Sequence, residues 1–131
     1  MTVVFFLVAL LSALAGCGEP GSQDAPAGQQ LDAVQQASQT AENLLELARA
    51  GDWQNYVDRY YGESHKFRSD ADRDKLVQRF ETQWSDKVVE SLARVVQVTP
   101  VIEGERAIFR VEEEVLFILY RTADGGWKFH L

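Results

Sequence analysis

The side chains able to do chemistry are few and unevenly placed. One cysteine, Cys17, and two histidines, His65 and His130, stand among 131 residues. A single cysteine closes no intrachain disulfide, and two histidines leave a zinc site dependent on carboxylates, so neither a metal nor a cofactor is expected. The densest stretch is residues 61–68, Tyr-Gly-Glu-Ser-His-Lys-Phe-Arg. Glu63 with the cations His65, Lys66 and Arg68 around Phe67 suits an anion, because ammonium and guanidinium groups make charge-assisted hydrogen bonds to carboxylate or phosphate. The same residues suit a solvated loop between helices, with Phe67 plugging the core and the charges pairing with Asp70, Asp72 and Asp74. Ser64 beside His65 is no catalytic dyad, since adjacent side chains point apart and no orienting carboxylate accompanies them.

The second chemical candidate is the run Glu112-Glu113-Glu114. If residues 106–122 form one strand, Glu113 shares the face of Phe109, Val111, Val115 and Phe117. Desolvation there favours the neutral acid and permits acid or base work. A bulge or hairpin at the glutamates turns it to solvent instead. His130, beside Lys128 on the face opposite Trp127 and Phe129, is expected to be structural or exposed. Trp53, Trp84 and Trp127 fit core wedges better than a sugar-stacking platform.

These groups sit in a chain of net charge −7, thirteen basic residues against twenty acidic, with the acidic groups spread throughout. A phosphate-binding surface is not expected, which argues against nucleic acid as a partner. The length suits one domain plus an appendage.

The appendage is at the amino terminus. Residues 1–16 carry no charge and, apart from Thr2, Ser12 and Gly16, are apolar. A spanning helix needs about 20 apolar residues, and this run ends sooner at Gly16-Cys17-Gly18-Glu19-Pro20, so it reads as the apolar region of a signal peptide. Leu14-Ala15-Gly16-Cys17 resembles the lipobox of bacterial lipoprotein precursors. The resemblance implies cleavage before Cys17, lipidation of that cysteine and anchoring in the cell envelope. Gly18 as second mature residue resembles outer-membrane sorting in cells with two membranes. One departure is the missing basic start, no Lys or Arg occurring before Arg49. Residues 17–28 then form the lipidated cysteine and a Gly- and Pro-rich tether that holds the domain about 15–20 Å from the lipid.

Residues 29–131 must supply the fold. Val34, Ala37, Ala41, Leu44, Leu45 and Ala48 make one helical stripe ended by Gly51. Asp52 is a natural N-cap for a second helix carrying Trp53, Tyr56, Val57 and Tyr60. After the polar loop, a third helix starts near Asp70 or Asp72 and presents Leu76, Val77, Phe80 and Trp84. The period then changes to two. Leu92 to Thr99 reads as a strand, Glu103-Gly104 as a turn, residues 106–122 as one long strand, and residues 123–126, Ala-Asp-Gly-Gly, as a turn into a last strand whose Trp127, Phe129 and Leu131 point inward. Three helices packed on a curved antiparallel sheet make an α+β domain.

The Leu-Ala-Arg-Ala-Gly-Asp-Trp corner at residues 47–53, the succession of strands and the terminal Asp-Gly-Gly-Trp-Lys-Phe-His-Leu resemble the NTF2-like, cystatin-like α+β cone superfamily. That superfamily includes uncharacterised small lipoproteins, accessory binding domains, and enzymes such as ketosteroid isomerase and polyketide cyclases. The resemblance implies a cone between sheet and helices, in which Tyr56, Tyr60 and Asp52 could stand as polar groups, and does not choose among activities. The expected role is a membrane-anchored binding or accessory module, leaning away from an enzyme, for an envelope protein or a small ligand, with homodimerisation through the sheet as one mode. The rival is a small-molecule isomerase, cyclase or hydrolase using a cone carboxylate.

Overall fold

In the computed structural model the described residues are 27–131, with side-chain surroundings from Gln30 onward. The expected signal peptide (residues 1–16) and Cys17 lie outside them, as does most of the expected tether; Ala27 and Gly28 are already helical.

Helix α1 (Ala27–Ala50) buries Ala33, Ala37, Ala41, Leu44, Leu45 and Ala48. The spacing of three and four places them on one face. Ala33 takes the buried position expected of Val34, which is half-buried. Gly51, at φ +73°, ends α1 in the left-handed conformation that lacks a Cβ penalty only in glycine, and its N–H donates to the Ala48 carbonyl at 3.1 Å. Asp52 caps α2 (Trp53–Tyr60), accepting from the Asn55 backbone N–H at 3.3 Å and from Asn55 Nδ2 at 2.8 Å. A 3₁₀ turn, Ser64–Lys66, leads to α3 (Asp70–Arg79), whose first turn carries Asp70 and Asp72.

The helix does not stop at Trp84. It passes through a π-helical turn, Phe80–Trp84, directly into α4 (Ser85–Val95), so three helical rods precede the sheet. The strand expected at residues 92–99 is therefore corrected. Val88, Leu92 and Val95 recur at i, i+4 and i+7, and Leu92 and Val95 are buried on the same helical face. A short apolar run satisfies both periods, and here continuity with the preceding helix decides between them.

The sheet is antiparallel and open, in the order β1 (Val101–Glu103), β2 (Arg106–Val111), β3 (Glu114–Arg121), β4 (Trp127–Lys128). Residues 106–122 are not one strand but a hairpin. Val111 pairs with Glu114 across the two-residue turn Glu112-Glu113, with Glu112 at φ +56°. The misreading has a geometric cause. Arg110 pairs with Val115 but Phe109 with Phe117, so Leu116 is an extra, bulged residue. That single insertion restores odd-to-odd pairing, Phe109 with Phe117 and Ala107 with Leu119. Odd positions thus share one face before and after the reversal, as they would in a straight strand.

The last segment also differs at its tip. Trp127 and Phe129 are buried, but Leu131 is 63 % exposed rather than inward. Ladder pairing with β3 ends at Lys128, and Phe129 instead bridges Tyr61 in parallel, its N–H donating to the Tyr60 carbonyl and its carbonyl accepting from Gly62, both at 2.8 Å.

One hydrophobic cluster draws on all three helical rods and on the strands, with Ala107, Phe109, Leu119, Trp127 and Phe129 joining the helical residues. Phe80 is its aromatic hub, with ring centroids 5.0 Å from Tyr56, 5.1 Å from Trp84, 5.6 Å from Trp53 and 5.9 Å from Phe129. The domain is α+β, three helical rods followed by a four-stranded antiparallel sheet.

Candidate ligand-binding site

The aromatic hub is incompletely covered on one side, and the residues there form a layered hollow of about 300 Å³. Its floor is buried: Tyr56, Phe80, Leu92 and Phe129. Half-buried Trp84, Val88, Leu116 and Phe117 form the walls, and exposed Lys87, Ser91, His130 and Leu131 the rim. The volume falls at the lower end of the range for small-molecule sites, and the mostly apolar lining with a few polar groups has their usual composition.

Each wall has a local cause. The π turn sets Phe80 and Trp84 four residues apart with their rings edge to face, both lining the hollow; such turns inside helices recur at functional sites. The bulge in β3 is at Leu116, beside Phe117, and bulges re-aim side chains. Val88, Ser91 and Leu92 come from α4, the segment whose helical state the alternating pattern obscured.

Tyr56 is the unusual member. Its side chain is 2 % exposed and it belongs to the pocket lining. Burial pushes its phenol well above the ordinary tyrosine range, so it remains a protonated donor throughout the physiological range. A ligand oxygen offered from the pocket would accept a hydrogen bond from it.

His130 at the rim stacks on Tyr120, with centroids 4.0 Å apart and planes 5° from parallel. It also closes over Gly62, where a Cβ would stand 2.7 Å from the imidazole ring. Glu63, next along the chain, accepts from Lys66 Nζ and from the Leu131 N–H at 3.2 Å. These two contacts, the lysine first, hold its carboxyl below the usual range.

The loop candidates are therefore separated from one another. Lys66 pairs with Glu63, and Arg68 with Asp72 at 3.2 Å, while His65 is exposed. Phe67 packs half-buried against the core, 5.5 Å from Tyr61. Asp74 takes Arg73, whose fork also grips Asp58 at 2.5 and 2.6 Å and holds that carboxyl below its usual range. Glu113 does not share a face with Phe109 and Phe117. It is an exposed turn residue, and neither it nor any other Asp or Glu side chain lines the pocket. Tyr56, Tyr60 and Asp52 do not converge either: the Tyr60 hydroxyl accepts from Asn43 at 3.2 Å, and Asp52 caps α2. Trp53 and Trp127 are buried in the core, whereas Trp84 faces the hollow. Among the described residues no group of three His, Cys, Asp or Glu side chains could hold a metal.

Sequence reasoning missed Lys87, Val88, Ser91 and Leu116. The signal for the first three was the i, i+4, i+7 spacing of Val88, Leu92 and Val95, which sets α4 against the core. No protein-family model, curated protein or solved structure matches the chain.

Proposed function

We propose that the folded domain is a noncatalytic binding module for a small, mostly apolar ligand, anchored in a bacterial cell-envelope membrane and facing outside the cytoplasm through lipid on Cys17. The observation that carries the binding role is an aromatic pocket of about 300 Å³ whose floor includes Tyr56, a phenol kept protonated by burial. The finer architecture we propose is an NTF2-like cone, its hollow closed by the helices over one sheet face. Support comes from the single cluster shared by helices and strands. The enzyme alternative needs an Asp or Glu side chain in the hollow, and the pocket lining includes neither.

Tryptophan emission provides the test, with Trp84 at the pocket wall as reporter. Titration with 4-phenyl-2-butanone, an aromatic body bearing one carbonyl acceptor, is expected to saturate. Tyr56→Phe should weaken the ketone about fivefold, the worth of one hydrogen bond, and leave butylbenzene unchanged. A wild-type protein whose emission and melting temperature respond to neither probe would remove the proposal.

The lipid anchor rests on the Leu14-Ala15-Gly16-Cys17 resemblance and on chain physics. No described helix is long and apolar enough to cross a membrane, and buried acyl methylenes contribute about 0.8 kcal/mol each. Cys17→Ser is expected to shift the protein from the membrane to the soluble fraction. Retention of the variant in membranes would refute lipid anchoring through this cysteine.

A further inference from the structure

We infer that the pocket selects a ligand built on a flat aromatic ring, single or fused, over an aliphatic ligand of the same length. The inference rests on the pocket being a binding site and adds the chemical class of its occupant.

The rings at the walls are less completely partnered than those at the floor. Phe80 meets Trp53, Tyr56, Trp84 and Phe129, and Phe129 meets Tyr56, Tyr61 and Phe80. Trp84 and Phe117 stand differently. Among the described residues Trp84 pairs only with Phe80, at 5.1 Å and 84° between planes, and Phe117 only with Phe109, at 6.4 Å and 47°. Both are half-buried and both line the hollow. One comes from the π turn and the other from β3, so two separate elements each bring a ring to the same space. A ring entering the hollow would extend the aromatic cluster by pairing with them.

Ring pairing can be told apart from hydrophobicity. An aromatic ring has a negative face and a positive edge, so stacked and edge-to-face neighbours gain energy beyond the area they bury. A cyclohexyl ring lacks that charge distribution. It also carries more apolar surface, so burial alone would favour the saturated ring. A preference for the flat ring therefore reports the pairing. Size sets the limit: a cavity of about 150 Å³ takes a benzene, so a hollow of about 300 Å³ suits one substituted ring or two fused ones.

Calorimetric titration of the whole protein with 4-phenyl-2-butanone and 4-cyclohexyl-2-butanone, which share the ketone and differ in the ring, tests this. The phenyl ketone is expected to bind about fivefold tighter, equivalent to about 1 kcal/mol. Phe117→Leu and Trp84→Leu each keep the wall apolar and remove one ring. Each should cut the preference to about twofold or less by weakening the phenyl ketone, with the cyclohexyl ketone unchanged. The two positions lie on different elements, so if one variant fails to fold, as read from its melting temperature, the other still decides. Equal affinity for the two ketones, tighter binding of the cyclohexyl ketone, or a preference that survives the substitutions would overturn the aromatic assignment while leaving the pocket reading intact. Failure of both ketones to bind would remove the pocket reading and this inference with it.

Discussion

Replacing Phe80 with alanine is expected to cost about 3–5 kcal/mol of folding stability, measured as a fall in the denaturant midpoint with little change in slope. Phe80 is 2 % exposed and its ring meets four other aromatics, Trp53, Tyr56, Trp84 and Phe129, at centroid distances of 5.0–5.9 Å. Truncation removes the buried ring area and also the edge-to-face and stacked pairs, each worth about 0.5–1.5 kcal/mol beyond burial. The neighbours cannot readily close over the gap. Trp53 is fixed by the capped start of α2, and Phe129 by two backbone hydrogen bonds to Tyr60 and Gly62. A domain of this size has about 5–15 kcal/mol in total, so the variant should be close to unfolding at physiological temperature. A loss below about 1 kcal/mol would mean that the cluster repacks freely, and Phe80 would lose its place as the hub.

Val88→Trp should have the opposite profile, abolishing ligand binding while preserving the fold. Val88 is a half-buried wall residue on α4 with open space before it, so an indole can enter the hollow without displacing the packed floor. Overpacking is costly where a core is already full. Here the added ring meets Trp84, Leu116 and Phe117 across a cavity. Affinity for the ketone probe is expected to fall about a hundredfold, or about 2.8 kcal/mol, with the denaturation midpoint unchanged or higher. Undiminished affinity in a folded Val88→Trp protein would place the binding elsewhere on the molecule.

The contrast between these variants shows how differently fold and site were legible. The corner at Gly51 and Asp52 was visible because both residues act within a few positions of themselves, one through its left-handed backbone and the other through a side-chain cap. The stripes of α1 and α2 and the Gly125-Gly126 turn were readable for the same reason. The hairpin at the glutamates was not. Its reversal uses Glu112 in a conformation usually left to glycine or asparagine, and the bulge at Leu116 kept the odd-position pattern in phase through the turn. Residues 92–95 misled because their apolar positions satisfy both periods, and the π turn that carries the helix into them has no compositional mark.

The site was harder to foresee than the fold. Tyr56 stood out as a polar group on an apolar stripe, but its place in the floor of a pocket depends on what faces it. Glu113 was placed by parity and moved by one inserted residue. Lys87 and Ser91 looked like ordinary solvent-facing helix residues until α4 came to rest beside the bulged strand and the chain following β4.

The sequence by itself determined an acidic chain with an amphipathic helical half and an alternating half, three of its corners, and which face of the first two helices is apolar. Those properties are local, set by backbone preference and by the phase of apolar residues along one element. Only the tertiary structure decided where the chain reverses at Glu112, how far the third helical rod runs, and that an aromatic hollow remains beside Tyr56. A hollow is the volume left between surfaces contributed by residues 56 to 131, and periodicity along any one of them carries no information about the fit between them.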